Sequence, residues 1–219
     1  MPNSLQHFAD EFNSVISEAS KFLCLTRGIE FQNESIERVD ELKGKCDLFK
    51  RKAIGIEDED LANAFLSLEI ICKAIISELN MWVALKTERP DSTWEYLISA
   101  QNAVHTAVII HEIAQQFAEH EERLSTIENI IFPHQSFVST GGTVRKSVCS
   151  VCGQDYEDCD HTKGKAYMGR VCVREITETD LTEISLVSNP ADKRCRIMSI
   201  TDEGKQRDIM TWRVVENKE

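Results

Sequence analysis

The stretch Cys149-Ser-Val-Cys152-Gly153-Gln-Asp-Tyr-Glu-Asp-Cys159-Asp-His161 decides how the C-terminal part of this chain must fold. Its spacing is Cys-x2-Cys-x6-Cys-x-His. Two thiolates separated by two residues can chelate one ion from a tight turn, and amides in that turn can donate to their sulfurs. Gly153, directly after the second Cys, permits the backbone conformation that such a knuckle needs. Cys159 and His161 lie two apart, so on an extended segment both side chains point the same way. Three Cys and one His make a closed set for one structural Zn²⁺, with no position left for water. Soft thiolates exclude Mg²⁺ and Ca²⁺. Cys172, on an expected strand 13 positions after Cys159, is the rival fourth ligand. A zinc deaminase would want a His-x-Glu motif ahead of Pro-Cys-x-x-Cys. No Cys here follows a Pro, which removes that reading.

Beyond the site come short strand-like stretches: 166–174, 182–188, 196–200 and 208–215. Gly164, Gly169, Asn189-Pro190 and Asp202-Glu203-Gly204 punctuate them. This region carries few apolar side chains, so its core is thin and a bound metal would supply folding free energy outright.

Upstream, the pattern turns helical. Leu5, Phe8, Phe12, Val15, Ile16, Ala19, Phe22 and Leu23 fall at steps of three and four, one face of a helix. Asn3 or Ser4 is its expected cap, and Gly28 its C-terminal turn. A second helix starts after Asn33, with Ile36, Val39, Leu42, Cys46 and Phe49 as a narrower stripe. The run Glu57-Asp58-Glu59-Asp60 sits where a third helix begins and complements its dipole. As a metal site it fails, because consecutive helical residues do not converge. The third helix, 61–86, is apolar over more than half its circumference, so it lies centrally in a bundle or pairs with a second copy. Asp91 or Ser92 caps a fourth helical stretch, 93–131, either one long helix or two with a bend. Short connections then predict an antiparallel bundle. His105, His111 and His120 lack the i, i+4 spacing of a helical metal pair. Cys24, Cys46 and Cys72 read as small hydrophobes on helices.

The charge map agrees with this division. The chain of 219 residues has formal net charge −12. Through Pro133 there are 23 acidic against 12 basic residues, and from His134 on 14 against 13, so the acidity belongs to the helical part. That argues against a broad phosphate-neutralising surface. Two short basic clusters remain, Arg145-Lys146 and Lys193-Arg194-Cys195-Arg196. The first residues lack the basic and apolar regions of a secretory signal, and no 18-residue window is apolar enough to span a bilayer. A cytoplasmic chain with reduced thiols is expected, so clustered Cys read as metal ligands and not as a disulfide framework.

The segment 141–200 resembles the cysteine-rich segment and following strand of some phage head-maturation (prohead) proteases and their relatives. The resemblance rests on Cys149 to His161, then Gly164, Tyr167-Met-Gly169 and Cys172, then Glu183-Ile-Ser-Leu-Val187 and Pro190-Ala191. Those proteases are serine peptidases with the nucleophile in an upstream Ser-x-Gly stretch, which Ser139-Thr-Gly141 matches in letters and order. The resemblance therefore implies Ser139 as a candidate nucleophile. Their catalytic His lies further upstream on a β-rich core, where this chain has its helical run.

The expectation is an α+β protein: an acidic antiparallel helical bundle (1–131), a linker (132–146) and a zinc-stabilised β-rich domain (147–219). The leading function is a non-catalytic, phage-related interaction module. The wide apolar face of the third and fourth helices would bind a protein partner or a second copy. The other readings are a prohead-type serine peptidase using Ser139, and nucleic-acid binding through Arg145, Lys146, Arg194 and Arg196. A membrane partner is not expected.

Overall fold

The computed structural model describes residues 2–215. The chain is α+β, with helices first and small antiparallel sheets after them. Helix α1 is Pro2–Ser20, α2 Ile29–Gly55, α3 Glu59–Lys86, α4 Pro90–Ile110 and α5 Ala118–Ile131. A 3₁₀ segment, Glu112–Phe117, joins the last two.

The central position goes to α3. Seventeen of its 28 residues are buried, among them Phe65, Ile71, Ile75, Leu79 and Trp82. The width of its apolar surface forces this, because a helix greasy on most sides must be covered on most sides. α1 contributes Phe8, Phe12 and Ile16, and α2 contributes Val39, Leu42 and Cys46. Leu97, Val104 and Leu124 close the other side from α4 and α5. Phe49 and Phe65 stack with ring centroids 5.1 Å apart, and Phe8 lies 5.0 Å from Phe49. Most of the apolar surface of α3 is thus turned inward, while Ile109 of α4 and Ile130 of α5 stay exposed.

The helix ends correct several sequence expectations. Gly28 is the N-cap of α2 and does not close α1, so α2 starts earlier than Asn33 suggested. α1 begins at Pro2, which puts Asn3 and Ser4 inside its first turn. Asp58 caps α3 by accepting from the Leu61 amide at 3.0 Å, which gives the acidic run its helix-start role. Arg89, not Asp91 or Ser92, is the N-cap of α4, with Pro90 in the first turn, where its missing N–H costs nothing. The fourth stretch breaks at His111. That residue is extended (φ −158°) and accepts from the Ile113 amide at 3.1 Å, starting the 3₁₀ turn.

The expected linker is a strand from Phe137 onward. β1, Phe137–Cys149, pairs antiparallel with β4, Arg174–Val187, in a long two-stranded ribbon. β1 is rich in Ser, Thr and Gly and lacks a clean apolar alternation, so only pairing with β4 reveals it. Between these strands lie a 3₁₀ turn at Tyr156–Asp158 and a small hairpin of β2, Ala166–Tyr167, and β3, Arg170–Val171. β5, Ser199–Asp202, and β6, Lys205–Asp208, form a last hairpin. The strand expected over 208–215 is therefore a turn, with one bridge from Val214 to Arg207.

One end of the ribbon and the β2–β3 hairpin beyond its other end are fastened to the bundle. Phe137 is buried with Trp94 and Ile98 of α4. The Trp94 indole donates to the Lys193 carbonyl at 2.9 Å, and Lys193 pairs with Glu128 at 2.7 Å. At the far end, Asn63 of α3 donates to the Ala166 carbonyl (3.3 Å) and accepts from the Gly169 amide (2.9 Å). Met168 (φ 44°) and Gly169 (φ 72°) form a two-residue turn with both φ positive, the geometry that suits a tight hairpin.

Candidate metal centre

β1 delivers Cys149 to its own end, where the chain turns sharply. The Gly153 amide donates to the Cys149 carbonyl at 2.8 Å, and Gly153 takes φ +74°. The turn points the Val151 amide at the Cys149 sulfur, 3.4 Å away. This is the knuckle that Cys-x2-Cys-Gly announced. Cys159 follows the short 3₁₀ turn in extended conformation (φ −108°, ψ 141°). Its sulfur accepts from the His161 amide at 3.2 Å and lies 3.4 Å from His161 Nδ1. Tyr167 holds the imidazole edge-on, ring centroids 4.6 Å apart, and its hydroxyl accepts from the Thr162 amide at 2.9 Å.

One donor atom from each of Cys149, Cys152, Cys159 and His161 lies within 4.8 Å of every other. The four side chains that the spacing named thus converge and could hold a metal ion. Bonds of 2.3 Å to sulfur and about 2.05 Å to nitrogen give tetrahedral edges of roughly 3.5–3.8 Å, which the Cys159–His161 separation approaches. Cys172 is beside this group: its sulfur is buried, 3.8 Å from that of Cys149. The Cys172 amide and carbonyl are fixed by Lys165 and Gly164, each at 2.8 Å.

The cluster shapes the acidities of its own thiols. Burial opposes ionisation of Cys149, but the amides of Cys152 and Val151 outweigh it and bring its thiol down to about 6. Burial and the Cys149 and Cys152 sulfurs push Cys159 up to about 11, against the His161 amide. Burial and the neighbouring Cys149 also raise Cys172. Such a group favours sharing a positive charge over holding several thiolates unaided.

Two carboxylates near the site, Asp155 and Glu157, have partners of their own. Asp155 accepts from the Glu157 amide at 3.1 Å, and Glu157 pairs with Arg174 at 2.7 Å. Ser139 lies on β1 opposite Ser185. Among the described residues, the histidine ring hydrogen bonds go to Glu121, the Ile113 amide, Glu78 and Cys159, and none to Ser139. Of the basic residues, Arg145 pairs with Asp180 (2.5 Å), Arg194 with Glu95 (3.1 Å) and Arg196 with Asp91.

Two polar features of the bundle escaped the sequence. Glu78 is fully buried, and His120 Nε2 (2.7 Å), Arg123 Nη1 (2.6 Å) and the Trp82 indole (3.2 Å) surround it. Only the i, i+4 step from Glu78 to Trp82 was visible in advance; the rest comes from α5. Cys46 and Cys72, which share no sequence spacing, meet between α2 and α3. Their hydrogen bond, together with burial, pushes the Cys72 thiol up. No helix is long and apolar enough to cross a membrane among the described residues. Comparison with protein-family models, curated proteins and solved structures finds no match for the chain.

Proposed function

We propose that this chain is a non-catalytic interaction protein whose C-terminal lobe folds around one structural zinc ion. Cys149, Cys152, Cys159 and His161 would hold the ion. The observation that carries this reading is the convergence of those four donor atoms within 4.8 Å. A second fact supports it. After Phe137, the buried apolar residues among those described are Cys149 and Cys172 alone. A lobe with so little core needs another source of cohesion, and a structural zinc site provides it.

Three thiolates and an imidazole favour Zn²⁺ over hard cations, and a filled tetrahedron leaves no place for an activated water. Cys172 would donate its S–H to the Cys149 thiolate, as an outer partner and not a ligand. All eight cysteines are unpaired, which suits a cytoplasmic chain kept reduced. Under this reading, the segment that resembles those of the prohead proteases is carried on a helical bundle. The bundle holds it rigidly, ready to face a protein partner.

Metal analysis of the purified chain tests the proposal, with about one zinc per chain expected. Co²⁺ substitution should give the intense visible absorption of a tetrahedral thiolate centre. Cys152→Ser should abolish both signals and Cys172→Ser should keep both. A metal-free chain whose lobe is nonetheless folded would refute the reading, and loss of zinc in Cys172→Ser would replace His161 by Cys172.

A further inference from the structure

The β1–β4 ribbon is amphipathic, and a bulge completes its apolar face. Val138 lies opposite Leu186 and Thr140 opposite Ile184, so these four share a face. At the first register shift β4 carries one extra residue, Thr182, which returns Leu181 to the same face. Val144 follows, opposite Thr179. The remaining shifts insert Arg145 in β1 and Thr177 in β4, and together they bring Ile176 back as well. The opposite face collects Lys146, Glu178, Asp180 and Glu183. Without the bulge at Thr182, strict alternation would put Leu181 on the opposite face.

That apolar face is open. Leu181, Ile184 and Leu186 are 68%, 75% and 74% exposed, and Ile176 is 56% exposed. The ribbon is buried only near its ends and carries no third strand. A two-stranded ribbon is marginal in water without something on its apolar face, and a contiguous apolar patch of this kind marks an interface.

Charge decides between occupants. The chain carries −12, almost all of it in the helical part, so two copies repel across most of their surfaces. The apolar face is different. Its one charge, Arg174 at the root, is tied to Glu157 at 2.7 Å. On the other face Arg145 neutralises Asp180, and Lys146 sits across from Glu178. A second copy of the same face would meet it with no charge to desolvate. A charged partner would find no counter-charge there.

Area sets the strength. Thirteen residues at about 3.3 Å each and two strands about 10 Å wide give roughly 430 Å² per copy. Two copies cover roughly 900 Å², short of the about 1,200 Å² at which specific, stable interfaces begin, so the association is reversible and concentration-dependent. We propose that this face stacks on the same face of a second copy across a two-fold axis, the two ribbons forming a small β-sandwich. The proposal rests on the interaction-protein reading and names its surface and occupant.

Sedimentation velocity of the full chain from about 1 to 200 μM, a range chosen around the affinity of small interfaces, tests it. The mass should climb from 24.9 kDa toward twice that value. The double variant Ile184→Thr/Leu186→Thr keeps strand propensity and should stay monomeric throughout, as should Leu181→Lys. Ile130→Thr, at a 77% exposed position on α5, should associate like the parent. A parent that is monomeric at every concentration overturns the proposal, and so does a ribbon variant that still dimerises. Zinc content measured on each sample separates the two readings. A zinc-loaded monomer overturns the dimer alone, whereas a zinc-free chain that dimerises through the ribbon overturns the metal site alone.

Discussion

If the cluster binds zinc as proposed, chelation should expose cysteines in a fixed order, with numbers that the structure sets. The perturbation is a strong zinc chelator at neutral pH, followed by titration of accessible thiols with a disulfide reagent. In the metal-bound chain Cys24 and Cys195 are the thiols open to reagent, since one is half-buried, the other exposed, and neither is in the cluster. Removing the ion frees Cys149, Cys152 and Cys159 and releases Cys172 behind them. Cys46 and Cys72 remain shut in the bundle, both fully buried. The count should therefore step from two to six, and to eight only in denaturant. The energetics point the same way. Burying the Cys149 and Cys172 side chains contributes on the order of 2 kcal/mol, at about 0.8 kcal/mol per CH₂-sized group. A structural zinc contributes about 10–16 kcal/mol in small metal-folded domains. The lobe should open while the far-UV helical signal of the bundle stays. A chelator-resistant count of two would refute the reasoning. So would a direct jump to eight, which would make the bundle itself depend on the metal.

Other outcomes follow from single contacts. Burial pushes the Glu69 carboxyl up, but Lys50 and Lys73 (the latter at 2.7 Å) outweigh it and hold it below the usual carboxylate range. A carboxyl lowered on folding stabilises the native state above its unfolded pKa, about 4.3, and that gain is lost as pH falls through the lowered value. Glu69→Gln should therefore be less stable than the parent at pH 7 and flatten the acid limb of a stability–pH curve, and an unchanged limb would count against the assignment. Gly169→Ala adds a Cβ 3.0 Å from Lys50 Cγ at φ +72°, so it should cost about 1–2 kcal/mol and speed amide exchange in the β2–β3 hairpin. Leu79→Ala removes a fully buried side chain from the central helix and should lower bundle stability by about 2–5 kcal/mol in urea titration.

What was legible in advance was what local chemistry dictates. Period-3.6 apolar stripes placed the helices because each must bury one side. The spacing of Cys149, Cys152, Cys159 and His161 named the cluster because a knuckle and an extended Cys-x-His segment are short-range geometries. Helix ends were misjudged at Gly28, which caps the start of α2 and does not close α1, and at Asp91, which lies in the first turn of α4 behind the cap Arg89. β1 was mistaken for a linker because a Ser/Thr/Gly-rich strand carries little pattern of its own.

By itself, then, the sequence determined the fold class and the four donors, since both follow from periods and spacings within a few residues. Only the tertiary structure decided the rest. Packing turned most of the widest apolar helix inward, which no local period could tell from a helix that pairs with a second copy. Strand register, through the shift that leaves Thr182 unpaired, added Leu181 to Ile184 and Leu186 on one open face. Burial likewise brought Glu78 together with His120, and Cys46 with Cys72, across distances in the chain that no local rule spans.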